Sequence, residues 1–356
     1  MRWERVEELA ERAPSVADLR FHRLELVAAR RLRERGASLP PALREAERDR
    51  ALIDLAAHDI LRRIRSAHGG KLVLFKGPEV AVRYPAPMLR PYRDIDLIAG
   101  DAAAAHRALL DAGFVPVGMW SPYADLHHLQ PLSWPGLPLA VELHSRPHLP
   151  RGLRPPSAAE LLADTAPARF GDGIVDAPDP GVHTLLVATH AWAHAPLAHI
   201  GQLLDVALLA EEVDPARLEA LARRWGCRRL WRLTRATIDA LFDGAPMPAA
   251  VRICAPHLEP VRERTVAERH VEALISPLLS LSAAQATAQA AHALLRRLRR
   301  GGDETWSHKL MRTRRAMRNA HLRQSEHEAC LPAEDRHIGG VPGLQPSPVP
   351  ERKART

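Results

Sequence analysis

Two acidic residues two positions apart, Asp94 and Asp96, are the first side chains of this sequence that could do chemistry. Alternate side chains of an extended segment point to the same face, so both carboxylates project together while Ile95 and Leu97 face the core. Neighbouring carboxylates repel each other, and a divalent cation would neutralise them. Oxygen ligands suit Mg²⁺, which keeps waters and substrate phosphates as its other ligands. The spacing therefore predicts a metal site for Mg²⁺, with Mn²⁺ as the alternative ion.

A short apolar segment, residues 71–75, precedes the acidic pair and is followed by Lys76, Gly77 and Pro78. The apolar run predicts a buried strand, and the glycine-proline pair predicts a sharp turn after it. Glycine lets a backbone approach phosphate groups closely, and a short helix predicted over residues 79–84 would point its N-terminus at them. This segment therefore predicts a phosphate-binding turn.

Three cationic side chains, Lys76, Arg90 and Arg93, flank the predicted turn and the acidic pair. Their charges would offset the negative charge of a bound polyphosphate. Arg90 could instead form an ion pair with Asp94. An acidic pair at an exposed strand end is also often only solvated acid, so the neighbouring turn is what favours a ligand site.

A third carboxylate, Glu142, lies in an apolar segment that predicts a strand over residues 137–143. Because side chains alternate along a strand, Glu142 falls on the face opposite Val141 and Leu143 and can join the acidic pair. A cluster of this kind can hold two metal ions about 3.5–4 Å apart, which clamp the attacking and leaving oxygens of an in-line displacement.

Periodicity and turn residues predict the elements that must hold these side chains. Apolar positions at three- and four-residue intervals predict a helical region over residues 2–67. The sequence then predicts a helix over 102–112 and strands over 71–75, 95–99, about 114–117, 128–132 and 137–143. Residues from about 180 to 300 read as wholly helical, with breaks near 214–215, 226, 244–246 and 277. This order predicts an α+β fold, a small mixed sheet with helices on one side followed by an all-helical domain.

The same pattern divides the chain into four parts. We predict an N-terminal helical region over 1–67, a catalytic core over 68–175, a helical C-terminal domain over 176–325 and a disordered tail over 331–356.

Composition bounds the function less tightly. The chain has 356 residues and a formal net charge of +8, which favours an anionic partner, although arginines spread over helix surfaces are commonly a solvated face. No run approaches the roughly 20 apolar residues of a membrane span, the first residues lack a signal-peptide core, and the three cysteines show no disulfide or metal spacing. A cytoplasmic protein without a membrane partner is the simplest interpretation.

Four motifs follow one another in a specific order and spacing. They are Lys76-Gly77, Tyr84-Pro85, Arg90-Pro91 with Asp94-Ile95-Asp96, and Glu142-Leu143-His144. This order resembles the family of uncharacterised nucleotidyltransferases over roughly residues 45–210. The resemblance implies a nucleotidyltransferase-like sheet with flanking helices.

The resemblance also implies a site and a reaction. Asp94, Asp96 and Glu142 would bind the metal, and Lys76 and Gly77 would contact the phosphates of a nucleoside triphosphate. An acceptor hydroxyl, or an amine, would attack the α-phosphorus, so that a nucleoside monophosphate is transferred and pyrophosphate leaves. The acceptor stays open among a small molecule, a peptide or protein, and RNA.

A helical histidine and aspartate after this core, His194 and Asp205, also resemble the family's pattern and are candidate contacts to the base or the acceptor. His190 and His194 have the four-residue spacing of a zinc-binding pair, but Ala191 stands where a metalloprotease would have its glutamate.

His128 and His144 lie close to the carboxylate strands and could orient ligands or act on the acceptor's proton. Ordinary polar packing is the alternative for each of these histidines.

Two other classes of function remain open on the sequence. A module that keeps the fold without catalysis would bind nucleotide weakly or not at all. A non-catalytic nucleic-acid-binding or partner-regulating protein would use the arginine-rich segments 296–300 and 312–318 and show steep salt dependence.

Overall fold

The computed structural model of the chain describes residues 3–117, 128–150, 153, 156–298, 305–323, 325 and 326. The tail predicted over 331–356 lies outside the described residues, as do the side chains of the arginine-rich segment 296–300. Among the described residues, no helix is both long enough and apolar enough to cross a membrane.

The N-terminal region is helical, as predicted, and its described residues form four helices. They are α1 (Trp3–Arg12), α2 (Val16–His22), α3 (Glu25–Glu34) and α4 (Pro41–Ala67). The Ser15 side chain accepts a hydrogen bond from the Asp18 amide and so caps α2, and proline stands at the first position of α4, where its missing N–H costs nothing.

Seven strands of the described residues form one mixed sheet. They are β1 (Leu72–Leu74), β2 (Asp94–Ala99), β3 (Val115–Pro116), β4 (Leu132–Ser133), β5 (Ala140–His144), β6 (Thr165–Pro167) and β7 (Asp176–Pro178), in the order β3-β4-β5-β2-β1-β7-β6. Four predicted strands are present with small changes of length, whereas the strand predicted over 128–132 is displaced to Leu132–Ser133, with an isolated bridge at His128, and β6 and β7 were not predicted. Because β7 pairs with β1, the sheet continues past residue 175.

Two core clusters cover the opposite faces of the central strands. Ile98 of β2 points into a core that includes Leu185 of the C-terminal helices, whereas Leu97 points into a core that includes Ile60 of α4 and Leu109. The expectation of helices on one side only is therefore wrong. The reason is that alternate residues of these strands are apolar on both faces over most of their length.

The remaining helical elements connect the strands or follow the sheet along the chain. They are α5 (Pro78–Ala81), a 3-10 turn (Pro87–Leu89), α6 (Ala102–Asp111), α7 (Ala158–Ala163), α8 (Pro180–His194), α9 (Ile200–Ala210), α10 (Pro215–Arg224), α11 (Arg228–Phe242), α12 (Ala249–Cys254), α13 (Val266–Ser280), α14 (Ala283–Leu298) and α15 (Trp306–Arg318). The break predicted at Pro277 is wrong, since α13 continues to Ser280 while packed against α11, α12 and α14.

The N-terminal helices share their core with the C-terminal helices. Leu9 of α1 and Leu24, just before α3, belong to the same cluster as Leu204 of α9 and Leu230 of α11. The helices that precede the strands in the sequence therefore pack against the helices that follow them. The corner between α2 and α3 lies against α9. The predicted domain boundaries stay predictions.

Candidate active site

Parallel pairing of β2 with β5 brings the acidic residues of two strands together. Asp96 lies directly opposite Glu142 in the register. One ligand atom from each of Asp96, Glu142 and His144 lies within 4.8 Å of the other two. Asp96 is fully buried, whereas the Glu142 side chain is 24% exposed, so the cluster opens to its surroundings at Glu142.

Two cationic groups compensate for the buried Asp96 carboxylate. Lys76 Nζ donates to Asp96 Oδ1 over 3.1 Å and lies 3.1 Å from Oδ2, and His144 Nε2 lies 3.0 Å from Oδ1. Burial alone would raise the pKa of Asp96, but the charges of Lys76 and His144 outweigh it and hold that pKa well below its ordinary value. Burial opposes the charged form of His144 too, yet its bonds to Asp96 and Glu142 raise its pKa.

Asp94 lies on the same strand face as Asp96 but in a different electrostatic environment. Burial and the like charge of Asp96 raise the pKa of Asp94 to about 6, although the charge of Lys76 opposes the shift. Asp94 lies outside the three-residue cluster of Asp96, Glu142 and His144. Two neighbouring carboxylates with pKa values pushed in opposite directions are typical of functional sites.

The three-residue cluster fits a divalent cation on chemical grounds. Its carboxylate oxygens suit Mg²⁺ and Mn²⁺, and the His144 imidazole adds a nitrogen donor once it loses its proton. Asp96 Oδ2 is buried and has no hydrogen bond of good geometry from the described residues, despite the nearby ammonium of Lys76. The predicted ligands Asp96 and Glu142 are thus brought together, with Asp94 at the edge.

Arg90 and Asp205 form a buried ion pair that holds the predicted turn. Arg90 Nε and Nη2 donate to the two Asp205 oxygens over 2.7 and 2.8 Å, and Arg90 Nη1 donates to the Gly77 carbonyl over 2.9 Å. Tyr84 Oη donates to Asp205 Oδ1 over 2.7 Å. Because protein acceptors engage this guanidinium, we interpret Arg90 and Asp205 as positioning residues for the turn rather than as the predicted ligand contacts.

The turn itself depends on Gly77. Its φ of 59° and ψ of −125° favour glycine, and a Cβ atom there would lie 2.6 Å from the Asp94 carbonyl oxygen. The helix predicted over 79–84 is only the four-residue α5, and Pro78 at its start has no N–H. The predicted contribution of a helix N-terminus to phosphate binding is therefore small, and most of the binding charge has to come from side chains.

A row of three histidines, His190, His194 and His148, extends from Lys76 away from the acidic cluster. His190 Nε2 accepts from Lys76 Nζ over 3.0 Å, the His190 and His194 rings are 4.4 Å apart, and the His194 and His148 rings are 4.8 Å apart. Burial, with the charge of Lys76, lowers the pKa of His194 to about 3 and that of His190 well below its ordinary value. Neutral His190 can therefore accept a hydrogen bond from Lys76, and this bond holds the Lys76 ammonium beside the Asp96 carboxylate.

The predicted histidines thus lie at one site. The His128 and His144 ring centroids are 5.5 Å apart, and His194 belongs to the histidine row. Asp205, in contrast, is bound by Arg90. Arg93 is exposed beside Asp94, where it can meet a ligand. Sequence reasoning missed His148, although it follows His144 by only four residues.

A cavity of about 680 Å³ adjoins the far end of the histidine row. Arg146 and His148, which follow β5, line it together with His194 at the end of α8, and Arg269 and Glu272 line it from α13. Burial raises the pKa of Glu272 to about 7 against the opposing charge of Arg264. The cavity therefore offers polar and cationic walls close to the candidate site.

A mixed sheet that carries acidic residues on adjacent strands behind a Lys-Gly turn defines a nucleotidyltransferase-like fold. The sequence model described as "Uncharacterised nucleotidyltransferase" matches residues 15–243, more than half of the chain, and the chain belongs to this family. No curated protein and no solved structure matches the chain. Membership indicates, at a coarse level, a transferase that uses a nucleoside triphosphate.

The match begins thirty residues earlier than the resemblance seen in the sequence, at residue 15 rather than about 45. Helices α2 and α3 therefore fall within the family region. This extension agrees with the common core of the N-terminal and C-terminal helices.

The buried ion pair predicts a large loss of stability when one partner is removed. Asp205→Ala leaves Arg90 buried without its counter-charge, so we expect the free energy of unfolding in urea to fall by about 3–5 kcal/mol. The double variant Arg90→Met with Asp205→Leu removes both charges and should recover part of that loss.

Asp59→Ala is the matched control, because Asp59 pairs with Arg63 at a partly exposed position of α4 and its loss should cost less than about 1 kcal/mol. A loss below about 1 kcal/mol for Asp205→Ala would contradict the role of the pair.

The raised pKa of Asp94 predicts a pH-dependent stability without divalent metal. The folded-state pKa of about 6 exceeds the ordinary value of 3.8, so ionised Asp94 costs stability above pH 6 and the cost disappears below about pH 4. Asp94→Asn should therefore be more stable than the wild type at pH 8, by on the order of 2 kcal/mol, and equal to it near pH 4. Urea unfolding with a chelator present measures this, and a difference independent of pH would refute it.

Proposed function

We propose that this protein transfers a nucleoside monophosphate from a nucleoside triphosphate to an acceptor hydroxyl or amine, with a divalent cation at the Asp96 cluster. The parallel register that places Asp96 opposite Glu142, with His144 in the same cluster, carries this proposal. The family membership of the chain supports the reaction class.

The acidic residues would hold the cation in this scheme. Asp96 and Glu142 would ligate it, Asp94 would complete the acidic set, and Mg²⁺ or Mn²⁺ fits their oxygens. The bound cation would neutralise negative charge on the phosphates and polarise the phosphoryl oxygen. Lys76 keeps Asp96 ionised, and His190 holds Lys76 in place by accepting a hydrogen bond from its ammonium group.

The chain's residues would orient the substrate. In this scheme the β- and γ-phosphates would lie against the Gly77 turn, which Arg90 fixes, and the exposed Arg93 would add positive charge. The acceptor oxygen or nitrogen would bond to the α-phosphorus while the bond to the leaving pyrophosphate breaks. The cavity of about 680 Å³ beside His194 and His148 is our candidate place for the acceptor.

Calorimetric titration with ATP, GTP, CTP and UTP, each with and without Mg²⁺, tests this function. We expect at least one triphosphate to bind in a Mg²⁺-dependent way, and the Asp94→Asn/Asp96→Asn double variant to bind it at least 100-fold more weakly. Asp111→Asn is the control, because Asp111 is exposed at the end of α6. Incubation with α-labelled triphosphate and fractionated cell extract then identifies the acceptor as small molecule, protein or RNA.

Two results would contradict the proposal. One is the absence of triphosphate binding by the folded wild type under all of these conditions. The other is unchanged Mg²⁺-dependent binding by the double variant. Salt-sensitive RNA binding without any triphosphate binding would favour the non-catalytic alternative.

A further inference from the structure

The cations around the turn are mostly committed to protein partners. Lys76 is held between Asp96 and His190, and Arg90 is engaged by Asp205 and the Gly77 carbonyl. The short α5 adds little to anion binding. A triphosphate at this turn therefore needs other positive side chains. The corner between α2 and α3 carries one.

Arg23 lies at that corner, directly after α2, with a left-handed backbone of φ 61° and ψ 38°. This backbone conformation is uncommon for residues other than glycine, asparagine and aspartate, and glycine adopts it most readily. Residues held in such conformations by their surroundings cluster at active sites and ligand clamps. Here this conformation ends α2, because the Arg23 N–H bonds to the Arg20 and Leu19 carbonyls, and it fixes the start of the arginine side chain at the corner.

Surrounding contacts fix the corner in place. His199 Nδ1 lies 2.6 Å from the Phe21 carbonyl oxygen, and His22 Nε2 lies 2.9 Å from the Arg262 carbonyl oxygen. The neighbouring segment before α9 and the loop before α13 therefore both hold the residues that precede Arg23.

Helix α9 brings the corner next to the turn. A Cβ atom on Gly201 would lie 2.8 Å from the Arg23 Cβ, so the glycine allows the corner to seat directly on the helix. Asp205 lies four residues later, on the same face of α9, where it binds Arg90 and so supports the Gly77 turn. Arg23 therefore lies about one helical turn from the residues that fix the turn.

The electrostatic surroundings agree with this position. Burial raises the pKa of Asp94, Tyr84 and Glu25, and the positive charge of Arg23 is among the effects that oppose the rise at all three. Among the described residues, no carboxylate oxygen lies within ion-pair distance of the Arg23 guanidinium, in contrast to Arg90. Arg23 is thus a partly exposed cation seated against α9 that retains its capacity for an anion.

We propose that Arg23 binds the terminal phosphates of the nucleoside triphosphate, together with Arg93, and so contributes a substrate contact from the N-terminal helices. This inference rests on the proposed nucleotidyl transfer. Arg23 lies within the family region, which begins at residue 15.

The test compares Arg23→Gly and Arg23→Asn with the wild type by calorimetry, using the four nucleoside triphosphates with Mg²⁺ and the matching monophosphates. Both replacements tolerate the left-handed backbone, so the melting temperature should stay equal or rise. We expect the affinity for the bound triphosphate to fall at least tenfold and the affinity for the monophosphate to change less than twofold. Arg20→Ala, which removes an exposed arginine of the same helix, should leave both affinities unchanged.

The outcomes separate this inference from the proposed function. If the wild type binds a triphosphate and either folded Arg23 variant binds it equally well, Arg23 is not a phosphate contact and the inference fails alone. An equal loss for triphosphate and monophosphate would also overturn it. If the wild type binds no triphosphate, the proposed function fails and this inference fails with it.

Discussion

A single buried carboxylate, Asp96, sets the conditions for the rest of the site. Removing a charge from water is costly unless opposite charges and hydrogen bonds compensate for it. Lys76 and His144 supply that compensation, and each is delivered by a strand that neighbours β2 or by the residues just after it. The register of three central strands is therefore tied to the electrostatics of one side chain.

The second constraint joins distant parts of the chain at the turn. Arg90 and Asp205 are 115 residues apart, yet their buried ion pair supports the Gly77 carbonyl. The same helix α9 carries Gly201, on which the N-terminal corner rests. N-terminal helices, sheet and C-terminal helices therefore meet around the turn, which explains why their apolar residues share one core.

Local patterns predicted the elements that carry the acidic residues. Alternation placed Asp94 and Asp96 on one strand face, and the same alternation placed Glu142 beside them in the sheet. Short-range signals could not predict β6 and β7, which have three residues each and end in proline. The pattern also could not reveal partners such as Arg90 with Asp205, or the approach of His190 to Lys76, because these contacts depend on how distant helices pack.

The proposed function requires that the Asp96 cluster bind a divalent cation for a triphosphate substrate. Its most direct test is a crystal structure of the protein with Mn²⁺ and a non-hydrolysable triphosphate, with anomalous scattering used to locate the metal. We expect anomalous density within coordination distance of Asp96 and Glu142, with the terminal phosphates at the Gly77 turn. Nucleotide bound elsewhere, with no anomalous density at Asp96 and Glu142, would contradict it.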